Sequence, residues 1–89
     1  MIFKIARAAR RHKFNNYRIR AAVAGRLPSR TWVEETDGGG KVTLVEWFTA
    51  DERGIDLHIV GKIAIENPAL VVIFHCKPIK LEWGGKANG

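Results

Sequence analysis

From Ala69 to Cys76 the chain reads Ala-Leu-Val-Val-Ile-Phe-His-Cys, and His75 is its only strongly polar side chain. A run this short and this apolar, rich in β-branched residues and closed by Pro78, reads as a central strand buried on both faces. In a chain of 89 residues there is room for one domain whose core is only a few side chains thick. Everything else in the chain must therefore cover that strand. Any functional site must lie on the surface or in a shallow groove.

Three more strands precede it. Thr31 to Glu35 end at Asp37-Gly38-Gly39-Gly40, where no side chain opposes a positive φ. Lys41 to Phe48 follow, dense in β-branched and aromatic residues. Asp51-Glu52-Arg53-Gly54 forms the next turn, and from Ile55 to Ile59 the alternation is clean, with Ile55, Leu57 and Ile59 on one side and Asp56 and His58 on the other. Gly61 to Ile65 can prolong this third strand before Glu66-Asn67-Pro68 turns the chain.

Ahead of the strands, Ile2, Ile5, Ala6 and Ala9 recur at helical spacing, with Lys4, Arg7 and Arg11 on the opposite face. Asn15-Asn16 interrupts the pattern and supplies an N-cap. A second helix is expected from about Tyr17 to Ala24, burying Ile19, Ala22 and Val23 and stopped by Gly25 and Pro28. The expected fold is α+β: two N-terminal helices packed on a four-stranded antiparallel sheet. The domain is expected to span 1–83, with 84–89 as a flexible tail.

Charge is distributed unevenly. Residues 1–30 carry +9 with no acidic side chain and the remainder −3, for a net charge of +6. Such asymmetry points to a polyanionic partner. The hydrophobic share of 46% is that of a folded domain and argues against disorder. Cys76 is the only cysteine, which excludes a disulfide framework and a cysteine-based zinc site and fits a reducing cytoplasm. No apolar run approaches the length that crosses a bilayer, and Lys4 and Arg7 interrupt the only candidate signal stretch. The acid-free start has the composition of a transit peptide, but removing it would strip one face of the sheet, so it is taken as part of the domain.

The candidate chemistry is metal-independent. The three histidines lack partners at ligand spacing, and the glycine run follows no phosphate-loop pattern. RNA cleavage without a metal needs a base for the 2′-hydroxyl, a cation for the crowded phosphorane and an acid for the leaving oxygen. Histidine and arginine can fill these parts. His75 stands at the exit of the central strand with Lys77 on the same side and Cys76 opposite, a candidate acid and cation pair beside a core thiol. The commoner role for such a histidine is a hydrogen-bonded core residue. His12 also suits the last turn of a helix, His58 reads as solvated, and Asp51 is either a turn former or the orienter of a cation. Of Trp32, Trp47 and Trp83, which could stack bases, at least two are expected to be core or interface anchors.

The order of these signals resembles a known group. Ala9-Arg10-Arg11-His12, then Ile19-Arg20-Ala21-Ala22, Asp51-x-x-Gly54-x-x-Leu57 and Val72-Ile73-Phe74-His75 resemble the small toxins of bacterial type II toxin–antitoxin systems, in particular the BrnT-related group of the RelE-like superfamily. The resemblance covers about residues 5–78. It implies a cytoplasmic endoribonuclease that cleaves mRNA without a cofactor, is silenced by a cognate antitoxin protein and forms oligomers only through that complex. It marks His75, His12, Arg11 and Asp51 as catalytic candidates, and Lys4, Arg7, Arg11, Arg18 and Lys77 as RNA contacts. The chain departs from the group where Phe74 separates Ile73 from His75, where Cys76-Lys77 replaces a small residue and methionine, at Glu34-Glu35, and in an insertion over residues 61–68. The competing readings are a non-catalytic basic nucleic-acid-binding or phage or plasmid regulatory protein, and an interaction protein that docks an acidic partner.

Overall fold

A computed structural model describes residues 1–10 and 14–80. The chain begins with strand β1 (Ile2–Ile5) and a one-turn 3-10 helix (Arg7–Arg10), followed by helix α1 (Asn16–Val23). Strands β2 (Arg30–Glu35), β3 (Lys41–Ala50), β4 (Asp56–Ile63) and β5 (Leu70–Pro78) follow. They form one five-stranded sheet in the order β1-β5-β4-β3-β2. The pairs β2–β3, β3–β4 and β4–β5 are antiparallel, and β1 runs parallel to β5.

The expected two-helix hairpin on a four-stranded antiparallel sheet is therefore overturned. The described residues form a mixed five-stranded sheet with a single α-helix. The segment expected as the first helix is β1, with Ile2 opposite Leu70 and Ile5 opposite Ile73. Ile2 N–H donates to the Ala69 carbonyl at 2.7 Å and Ala6 N–H to the Ile73 carbonyl at 2.8 Å. The helical spacing of Ile2, Ile5 and Ala9 conceals a period of two in which Phe3 and Ile5 face the core and Lys4 faces away. Pairing with the edge of β5 satisfies backbone groups that a two-turn helix rich in small side chains would leave frayed, so tertiary context decides the conformation.

Helix α1 forms where its cap and apolar spacing require. The Asn15 side chain accepts from Arg18 N–H at 2.9 Å, and Ile19, Ala22 and Val23 are the buried positions. Two turns are unstable alone; packing holds this helix. Its inner face packs on β1 and β3 and joins one core cluster with Phe3, Ile5, Trp47, Leu57, Ile59, Val71 and Ile73. Thr49 Oγ1 donates to the Ala22 carbonyl and Trp47 Nε1 to the Arg26 carbonyl, both at 3.2 Å, so the end of α1 and the chain after it are tied to β3.

The other face carries no described helix. The apolar strand β5 is thus covered on one side only: Val71, Ile73 and Cys76 are buried, Val72 is half-buried and Phe74 is exposed. A β-bulge makes this possible. Gly61 lies opposite Ile73 and Val60 opposite His75, leaving Phe74 as the extra residue on β5. Strict alternation from Val71 and Ile73 would send His75 into the core. The bulge keeps Cys76 in the core and places His75 on the open face.

Candidate active site

Cross-strand pairing arranges the open face in rows. Phe48, His58 and Lys77 form one; Arg30, Glu46, Val60 and His75 form the next; Trp32, Leu44, Lys62, Val72 and Lys4 form the third. Leu44 and Val60 are buried in the floor of this surface, while Phe48 and Phe74 stand exposed.

Two histidines meet at its centre. The rings of His58 and His75 lie edge to face, 5.0 Å between centroids. His58 Nε2 is 2.7 Å from Glu46 Oε2. An ionised carboxylate only accepts, so that ring nitrogen carries the proton it donates. Phe48 stacks on the His58 ring at 4.8 Å with the planes 8° apart. His58 is therefore oriented by a carboxylate at one edge and an aromatic plane over one face.

Cations flank the pair. Arg30 Nε lies 3.4 Å from Glu46 Oε1, and its guanidinium sits over the Trp32 ring at 4.1 Å. Trp32 Nε1 donates to Glu34 Oε2 at 2.9 Å, which sets the angle of the indole. Lys77 is the cross-strand neighbour of His58, at a spacing that lets the two side chains interact. Imidazoles, a guanidinium, an ammonium and flat aromatic surfaces thus share one face. That set can move protons, hold a phosphate and stack bases. Among the described residues, no three His, Cys, Asp or Glu side chains converge as metal ligands.

Of the residues expected from sequence, His75 and Lys77 belong to this cluster, and Lys4 lies on the same face in the third row. Arg7 is exposed on the 3-10 helix, so no helical stripe joins Lys4 to Arg7. Arg18 is half-buried on α1, which packs on the opposite face of the sheet. Arg11, His12 and Trp83 lie outside the described residues, as do the end of the expected domain at 83 and the expected tail 84–89.

Asp51 is separate from the cluster. It pairs with Ile55 through Asp51 N–H and the Ile55 carbonyl at 2.9 Å, on the side where Ile55 meets the core. Its Oδ1 accepts from Arg53 N–H and Ile55 N–H, each at 2.9 Å, and Arg53 Nε lies 3.6 Å from Oδ2. Burial raises its pKa. The two backbone N–H groups and the Arg53 guanidinium outweigh burial and hold the carboxyl below its ordinary value. This is a turn former. Burial, with the Asp51 charge nearby, pushes the Cys76 thiol up to about 12, so it stays protonated and inert.

Sequence reasoning missed His58, Glu46 and Arg30. The hairpin contains the signal that finds them. Once Asp51 to Gly54 is taken as the turn, counting back pairs Phe48 with His58 and Glu46 with Val60. Glu46, between Val45 and Trp47 in an apolar strand, is an acid that needs a partner. No family model, curated protein or solved structure matches the chain.

Proposed function

We propose that this chain is a metal-independent endoribonuclease, of the kind its resemblance to toxin–antitoxin toxins implies, with His58 and His75 as its acid–base pair. The observation that carries the reading is the contact of these two rings at 5.0 Å, with Glu46 on His58, on a face that also presents Arg30 and Lys77. In the reaction, the RNA 2′-oxygen attacks the adjacent phosphorus and the bond to the 5′-oxygen breaks. One imidazole takes the 2′-hydroxyl proton and the other gives a proton to the leaving oxygen. The products are a 2′,3′-cyclic phosphate and a 5′-hydroxyl, and no other reagent is consumed. Glu46 stabilises the imidazolium form of His58, while Arg30 and Lys77 face the charge that gathers on the phosphorane. Such a protein works on cytoplasmic mRNA and requires a cognate antitoxin to restrain it.

Incubation of RNA with purified protein in a chelator tests the chemistry. Cleavage with cyclic phosphate ends is expected, and His58→Ala and His75→Ala should each slow it by about 10²-fold or more. Intact RNA, or undiminished cleavage in both variants, would overturn the assignment. Induced expression should likewise arrest bacterial growth, and His75→Ala should relieve the arrest. RNA bound tightly but never cut would identify a binding module that uses Trp32 and Phe48 as stacking platforms.

A further inference from the structure

Beside the histidine pair, the third row of the open face ends in a groove of about 440 Å³ lined by Lys4, Lys62, Val72, Val42, Thr36 and Glu66. Lys4 and Lys62 are exposed and straddle Val72, with Lys4 opposite Val72 on β1 and Val72 opposite Lys62 on β4. Two strand spacings separate their backbones, about 9–10 Å, a gap that two lysine side chains can close around one phosphate or bridge between two. Glu66 is the acidic side chain at the groove. Lys62 is two residues along β4 from Val60, the cross-strand neighbour of His75, so the groove adjoins the cluster on one continuous surface.

Resting on the ribonuclease reading, we infer that this groove is the backbone subsite of a single-stranded RNA track. Lys4 and Lys62 hold phosphate on one side of the scissile bond while Phe48, Phe74 and Trp32 offer faces for unstacked bases. A single strand is the form that fits. Its bases are free to lie on aromatic rings, whereas a duplex hides them and offers only shape and backbone. The surface is also shallow, so a strand can lie across it without being threaded.

The test measures binding and cleavage separately. Affinity for a short fluorescent single-stranded RNA is followed against salt in the His75→Ala protein, with and without Lys4→Gln and Lys62→Gln together. Each phosphate contact contributes about 0.7 to the slope of log affinity against log salt for single strands. The double substitution should lower that slope by about 0.7 if the lysines share a phosphate and about 1.4 if they take two. In the otherwise unaltered enzyme, the same substitutions should raise KM for the oligonucleotide by a larger factor than for a dinucleotide, which is too short to reach the groove. An unchanged slope, or equal affinity for a duplex of the same sequence, would overturn the track. If the slope falls but no form of the protein cuts RNA, the ribonuclease reading fails and the track stands. Cleavage with an unchanged slope removes the track and leaves the ribonuclease standing.

Discussion

Glu46 contacts both Arg30 and His58, so its charge orders the cation and the imidazole together. It touches no reacting atom in the proposed chemistry and acts as a positioning residue. Glu46→Gln should leave the fold intact and lower kcat by about 10²-fold with little change in KM. Equal losses in both, or none, would show that the carboxylate is merely structural. Asp51 has a different role. Its carboxyl is held below the ordinary value by the N–H groups of Ile55 and Arg53 and by the Arg53 guanidinium. A depressed folded pKa stabilises the fold above the unfolded value of about 3.9. That contribution disappears as pH falls through the lower, folded value. The thermal midpoint should therefore drop in acid, and Asp51→Asn should flatten this limb while lowering stability at neutral pH. An acid limb of the same steepness in the variant would assign the loss to other carboxyls.

The bulge between β4 and β5 absorbs Phe74 and so keeps His75 on the open face. A Cβ built on Gly61 would lie 2.7 Å from Val71 Cγ1 and 3.2 Å from the Val72 carbonyl oxygen. Gly61→Ala should cost about 1–3 kcal/mol, read as a fall in thermal midpoint of about 4–8 °C per kcal/mol. Deleting Phe74 should be far milder. It removes the extra residue, restores plain alternation and leaves His75 on the open face and Cys76 in the core. A deletion variant that unfolds would show that the bulge itself is needed. This element also marks where sequence reading stops. The strands, their turns and the apolar face of α1 were legible because each is encoded in local periodicity and in a residue such as Asn15, Gly54 or Pro78. β1 was not. Its four residues satisfy a helical spacing and a strand alternation alike, and the choice is made by hydrogen bonds to β5 about seventy residues away. His75 was legible as a candidate, but its neighbours were not, because His58 and Glu46 reach it only through the register of three strands.

At the scale of the whole molecule, the parallel pairing of β1 with β5 joins the first residues to the last strand, and Phe3 and Ile5 enter the core through it. Removing residues 1–5 should expose an edge of β5 to intermolecular pairing, seen as aggregation or loss of cooperative unfolding; a soluble, cooperatively folded truncation would make β1 dispensable. Such long-range pairing delays assembly until the chain has closed on itself. Cys76 is sealed into this same core, protonated and shielded from solvent. The protein therefore carries its own stopwatch for opening: an alkylating reagent can mark the sulfur only while the core around it is open. At low reagent the labelling rate reports the opened fraction, and comparing Gly61→Ala with the parent by this single atom weighs the fold without any added probe.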